Sequence, residues 1–275
     1  EKLQDEHDGL KKQVEYYIAV LNDRALLLGI IKDEILEVKR RFADKRRTEI
    51  EYVFDSADID LDDIIQEEDM VVTATHMGYI KRISVDEYKL QRRGGVGVRG
   101  QTTKDDDFVA RIFVTSTHNE IMFFTNTGRA FKMKCYLIPE AGRTAKGTPI
   151  VNLLQLQPGE SITAAFPVTS NEGYLMLATR QGIIKKTPMS EFDNIRKGGI
   201  IAQKLYEGDS VVNVLLSSGN DEIIIGTKFG KAIRFNESDV RPMGRTAAGV
   251  RSVKLAEGDE IIDMQLVQPD HYVLC

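Results

Sequence analysis

The sequence predicts a mainly β fold, a propeller-like disc of repeats near fifty residues, preceded by an α-helical, coiled-coil segment. Three observations carry that prediction. Beyond Met70 one β-hairpin pattern recurs four times. Each copy is followed by a glycine-bearing basic loop, and residues 1–43 show apolar spacings of three, four and seven.

The helical part comes first. Leu3, Leu10, Val14, Tyr17 and Leu21 form a coiled-coil-type seam. Asn22-Asp23 supplies an interruption and an N-cap. A second helix carries Leu28, Ile31, Ile35, Val38 and Phe42, and Lys39-Arg40-Arg41 place cations at its negative end. These read as packing helices. The chain opens within a helix and stops within a strand, as a piece of a longer protein would.

Residues 44–69 read as an acidic linker. From Glu49 to Asp69 there are ten acids and no base, a charge able to compete with another polyanion for a basic surface. Asp58-Ile-Asp60-Leu-Asp62-Asp63 fails as a calcium loop, because Asp63 stands where the turn needs glycine and Asp69 where a bidentate Glu is needed.

Residues 70–275 form the β region. The first strands are Met70-Val-Val-Thr-Ala, Glu120-Ile-Met-Phe-Phe, Tyr174-Leu-Met-Leu-Ala and Glu222-Ile-Ile-Ile-Gly, apolar enough to be buried on both faces. Each enters the turn Thr-x-x-Gly, ending at Gly78, Gly128, Gly182 and Gly230, spaced 50, 54 and 48 residues apart. Four residues later stands a base: Arg82, Lys132, Lys186 or Arg234. Acid-led strands follow from Asp107, Glu160, Asp209 and Asp259, and a fifth unit starts at His271.

The basic loops are Gln91-Arg92-Arg93-Gly94-Gly95-Val96-Gly97-Val98-Arg99-Gly100, then Gly142-Arg143-Thr144-Ala145-Lys146-Gly147, Arg196-Lys197-Gly198-Gly199 and Gly244-Arg245-Thr246-Ala247-Ala248-Gly249. Glycine allows close approach, and the arginine fork suits phosphate. Gly95-x-Gly97-x-x-Gly100 is no dinucleotide fingerprint, because no helix face follows it. Radial repetition would set equivalent cations along one rim. The candidate DNA contacts are therefore the first loop together with Lys81, Arg82, Arg129, Lys132, Arg143, Lys146, Lys185, Lys186, Arg196, Lys197, Lys231, Arg234 and Arg245. The competing reading makes the recurrent bases ordinary edge residues that prevent sheet-to-sheet pairing.

Composition narrows the function. Net charge is −5, yet residues 1–70 hold 11 basic and 20 acidic side chains, while the remaining 205 hold 26 and 22. The β region is thus mildly basic, and distribution decides nucleic-acid binding more than the total does. Cys135 and Cys275 have no zinc spacing and read as reduced cytosolic thiols. The four histidines are scattered, no catalytic grouping is legible, and no apolar run is long enough to span a bilayer.

Gln91-Arg92-Arg93-Gly94-Gly95-Val96-Gly97 resembles the box of the DNA gyrase A-subunit family of type IIA topoisomerases, usually Q-R-R-G-G-K-G. Lys45-Arg46-Arg47-Thr48-Glu49-Ile50, Glu68-Asp69-Met70-Val71-Val72-Thr73 and Gly147-Thr148-Pro149-Ile150-Val151-Asn152-Leu153-Leu154 are similar too. The resemblance implies that residues 1–43 end the breakage-reunion domain and that 70–275 form a β-pinwheel whose blades exchange strands. It implies a rim that wraps double-stranded DNA with positive hand, so that an ATP-driven holoenzyme introduces negative supercoils. The implied partner is the gyrase B protein, two copies of each chain assembling in the bacterial cytoplasm. The cleaving tyrosine would lie upstream and the ATP and Mg²⁺ elsewhere, leaving this chain no cofactor, metal or catalytic residue of its own. Val96 departs from the box lysine, and Arg99 is placed to restore the charge. The alternatives are the A-type subunit of topoisomerase IV and a protein-binding propeller, the latter opposed by the absence of any Trp.

Overall fold

The computed structural model describes residues 2–44, 61–87, 101–103, 106–268 and 271. The first basic loop and Lys45-Arg46-Arg47 lie outside the described residues. The chain divides into two compact units, Glu1–Asp58 and Ile59–Cys275.

In the first unit α1 spans Lys2–Asn22 and α2 Arg24–Phe42. Asp23 breaks them apart as read, its Oδ1 accepting from the N–H of Ala25 at 2.8 Å and of Leu26 at 3.3 Å. That satisfies donors a helix start leaves orphaned. Glu37 pairs with Arg40 and Arg41 one turn on. No residue of either helix is buried, so the apolar seam from Leu3 to Phe42 is exposed along its length.

The second unit is four sheets in series. The first repeat contributes β1 (Asp69–Thr75), β2 (Tyr79–Ser84) and β3 (Val109–Ser116). The second contributes β4 (Glu120–Thr125), β5 (Arg129–Lys134), β6 (Thr148–Pro149) and β7 (Ile162–Val168). From the third come β8 (Tyr174–Thr179), β9 (Ile183–Pro188), β10 (Ile200–Ile201) and β11 (Val211–Ser217). The fourth has β12 (Glu222–Thr227), β13 (Ala232–Asn236), β14 (Val250–Arg251) and β15 (Ile261–Leu266).

The strand orders are β3-β1-β2-β6, β7-β4-β5-β10, β11-β8-β9-β14 and β15-β12-β13. Every short strand thus closes the sheet of the preceding repeat: β6 pairs with β2, β10 with β5 and β14 with β9, all antiparallel. The blades exchange strands, as in a β-pinwheel. The strands β3, β7, β11 and β15 adjoin one another in turn. All four carry a register break opposite the end of the first hairpin strand, at Ala74/Thr75, Phe124/Thr125, Val211/Asn213 and Gly226/Thr227.

The apolar runs are buried on both faces because the core lies between blades. Val72, Ile80, Ile121, Phe123, Phe131 and Ile150 fill the space between the first two sheets. Phe124, Leu175, Leu177 and Phe192 fill the second gap, and Met176, Ile184, Ile223 and Met264 the third.

The end of the expected linker is anchored on the β unit. A short helix, α3 (Leu61–Ile64), brings the Asp62 carboxylate to 2.8 Å from Lys134 Nζ. The chain beyond bonds the start of the second repeat, with Thr117 N–H donating to Glu68 O at 2.9 Å and Thr117 Oγ1 to Gln66 O at 2.9 Å. Among the described residues, no helix is long and apolar enough to cross a membrane.

Candidate nucleic-acid interface

The hairpin turns set the frame for the loops. Each turn threonine accepts from the N–H four residues on, Thr75 from Tyr79 at 3.1 Å and Thr179 from Ile183 at 3.2 Å. The turn glycines Gly78, Gly128, Gly182 and Gly230 have φ of 84°, 79°, 84° and 75°, the left-handed region that favours glycine.

The acid that leads each later strand pins the same turn, a role the sequence reading missed. Asp107 Oδ1 accepts from Met77 N at 2.9 Å, Asp209 from Gln181 N at 2.9 Å and Asp259 from Phe229 N at 3.0 Å. Glu160 does so through Thr127 Oγ1 at 2.7 Å and Arg129 at 2.7 Å. Burial opposes ionisation of Asp107 and Asp259, but the converging donors outweigh it and hold both below the usual carboxylate range. The recurrence of an acid at the head of that strand in all four repeats was the available signal.

In the first three repeats the base four residues past the turn glycine proves to be a tie between blades. Arg82 donates to Ile138 O at 2.7 Å and lies 3.0 Å from Glu140, both in the second repeat. Lys132 reaches Asp193 O of the third repeat at 3.1 Å, and its own sheet's Glu120 at 2.9 Å. Lys186 lies 3.1 Å from Glu237 of the fourth repeat. In each case the target is the short 3-10 turn that follows the next hairpin, or its end. Arg234 pairs with Glu222 on its own sheet and stays exposed. Arg82, Lys132 and Lys186, expected on the rim, are thus engaged between blades, and their recurrence reflects blade-to-blade coupling.

Lys81 and Lys185 are further corrections. Both are 0% exposed, with their ammonium groups under the next repeat's basic loop. Lys81 Nζ donates to the carbonyls of Gly142 and Arg143, and Lys185 Nζ to those of Ala202 and Arg245. Burial lowers both pKa values, that of Lys185 to about 8 with help from the Arg245 charge. In the second sheet the matching position is Phe131, whose ring lies 2.7 Å from where a Cβ on Gly199 would sit. Arg129 stacks 4.7 Å over that ring and bonds Glu160 and Gly198 O, so it too is held inward.

The loop glycines are there for packing. Gly147 (φ 86°) and Gly249 (φ 111°) press on the strands of the preceding blade, where a Cβ would come within 2.6 Å of Ile80 O and 2.5 Å of Ile184 O.

What remains outward is a smaller set of cations. Lys146, Arg196, Lys197, Lys231 and Arg234 are exposed, while Arg143 and Arg245 are half-buried with exposed Thr144 and Thr246 beside them. Lys204, Arg251 and Lys254, also exposed, were not among the expected residues, although each follows a basic loop closely. Gln91, Arg92, Arg93, Gly94, Gly95, Val96, Gly97 and Arg99 lie outside the described residues.

Known proteins agree with this geometry. The family described as DNA gyrase C-terminal domain, beta-propeller, matches residues 69–116, 119–169, 173–218 and 221–268, the four repeats in turn. The DNA gyrase A protein of Clostridium acetobutylicum is 52% identical over 253 residues, 91% of this chain and 30% of that protein. The chain therefore spans about a third of the length of the curated relatives it matches. The solved C-terminal domain of a DNA topoisomerase IV superposes with a TM-score of 0.64 at 31% identity, covering 74% of this chain and 62% of that one. A solved DNA gyrase A C-terminal domain gives 0.58 at 30% identity, covering 73% and 66%. Four strand-exchanging blades, one repeat-by-repeat family match and a relative identical at half the aligned positions lead to one conclusion: the chain belongs to the DNA gyrase A C-terminal-domain family.

Proposed function

We propose that this chain wraps duplex DNA along the outer strands of its pinwheel, within an ATP-dependent gyrase that also contains the gyrase B protein. The wrap presents flanking duplex for strand passage and so produces negative supercoils. Cytoplasmic location, partnership with the B protein and the use of ATP and Mg²⁺ elsewhere in the assembly belong to the same reading. The observation that carries it is the exposure of Lys146, Arg196, Lys197 and Arg251 beside or on the short strands that close successive blades. The family box from Gln91 to Gly97, with Arg99 beyond it, fastens the wrap.

Energetics favour many distributed contacts. Bending a 20–30 bp site through 40–90° costs on the order of 1–6 kcal/mol, and a longer arc costs more. Only a run of phosphate contacts offsets that, each adding about −0.9 to the slope of log K against log salt. Backbone contacts position DNA without reading its bases, so little sequence preference follows.

The test seals nicked circular DNA in the presence of the protein. A positive shift in linking number supports wrapping, and no shift rejects it. The topoisomerase IV likeness supports a second reading, an A-type subunit of a decatenating enzyme. The near-complete box favours gyrase, and the full enzyme's action on relaxed circles against linked circles separates the two.

A further inference from the structure

The loops of the second and fourth repeats share one construction. In Gly142–Gly147 the carbonyls are taken up from the protein side: Gly142 and Arg143 by buried Lys81, Thr144 by the N–H of Thr102 at 3.2 Å, Lys146 by Gln101 Nε2 at 2.8 Å. In Gly244–Gly249 the same is done by Lys185 to Arg245, by the N–H of Lys204 to Ala247 at 3.4 Å and by Gln203 Nε2 to Ala248 at 2.8 Å. Each loop closes a turn, Ala145 N–H to Gly142 O at 2.9 Å and Ala247 N–H to Gly244 O at 3.1 Å.

The consecutive N–H groups at the two turn centres, Arg143–Thr144 and Arg245–Thr246, have no acceptor among the described residues. Arg245 Nε is likewise enclosed without an acceptor among them. Successive main-chain N–H groups in a turn form a concavity for anions, deepened here because the carbonyl ends of the dipoles are tied down. Two such turns, 102 residues apart and built by the same Lys and Gln positions, mark a repeated design.

From this geometry we infer that the turns at Arg143–Thr144 and Arg245–Thr246 are main-chain phosphate sites, each gripping one oxyanion through consecutive N–H groups. Lys81 and Lys185 act as positioning residues that hold the turns from beneath. The inference rests on the wrapping reading for the source of the phosphate, a DNA diester. Free phosphate shares its chemistry.

The experiment compares two double variants of the full chain. R143A/R245A removes two side-chain cations. R143P/R245P removes the same cations and also the two N–H groups, at a turn position where proline is favoured. Duplex affinity is measured across a salt series. The alanine pair lowers the salt slope by about 1.8. The proline pair keeps that reduced slope but binds on the order of a hundred-fold more weakly still, the effect of two lost hydrogen bonds to a charged group. Proline and alanine pairs binding alike overturns the inference, provided both melt at the wild-type temperature.

A second measurement does not depend on either variant folding. In the unmodified chain, inorganic phosphate and a short duplex are each titrated while the amide signals of residues 143, 144, 245 and 246 are followed. Shifts with duplex at physiological salt support a DNA site. Shifts with inorganic phosphate alone support the phosphate sites and reject the wrapping reading. No shift with either overturns the inference, even where the duplex binds elsewhere on the disc.

Discussion

Lys186 Nζ lies 3.1 Å from a Glu237 carboxylate oxygen, and the two side chains are 4% and 0% exposed. Glu237 also accepts from Ser217 Oγ at 2.7 Å, Gly219 N at 2.6 Å and Asp221 N at 2.8 Å. Lys186 donates to Gly219 O at 3.2 Å and sits 4.3 Å over the Tyr174 ring. Removing one member of a buried pair strands the other, at a cost of about 3–5 kcal/mol, whereas replacing both with apolar groups is often near neutral. K186M and E237Q should each show that loss in urea unfolding. K186M/E237L should recover most of it, giving a large coupling energy in the double-mutant cycle.

Lys185 makes stability depend on alkaline pH. Its folded pKa is lowered to about 8 by burial, against an ordinary value of 10.5. Between those values the unfolded chain binds more protons than the folded one, so the free energy of unfolding should rise as pH goes from 8 to 10.5. Below pH 8 the full cost of the buried ammonium is present. Chemical denaturation at pH 7, 8.5 and 10 reads this directly, and K185M should flatten the rise.

Cys135 is wholly buried, and burial pushes its thiol up to about 11 despite the nearby Arg82. The reactive thiolate is then scarce at neutral pH as well as enclosed. In the native protein Cys135 should resist iodoacetamide at pH 8 and react once urea unfolds the β unit. Mass spectrometry of digested samples distinguishes the two states. Rapid native labelling of Cys135 would show that the first inter-blade core opens locally.

The repeat length, the hairpin glycines and the apolar strand runs were legible because local chemistry dictates them. Gly78 and its counterparts must turn left-handed, and Val72 or Phe123 must be buried wherever the chain closes. The N-cap at Asp23 was legible for the same reason. The fate of the recurrent base was not. Arg82 and Lys186 look like rim cations until the next repeat's carbonyls and carboxylates are seen to meet them, a contact made across more than fifty residues. Lys81 and Lys185 were misplaced similarly, since spacing cannot tell an ammonium under a loop from one above it. The candidates that do face outward, Lys146, Arg196 and Lys197, sit in loops whose form depends on a partner blade.

Because β6, β10 and β14 each complete an earlier sheet, a pull on one loop is felt first by its predecessor in the chain. In the proposed wrap, stiff duplex straining to straighten would tug Thr148–Pro149 against the hairpin at Gly78, and Ile200–Ile201 against the one at Gly128. Recoil is thereby passed upstream from one unit to another, as along a laced seam. Cutting the chain between repeats would leave the unit before the cut missing an edge, so function should fade over two units at a time.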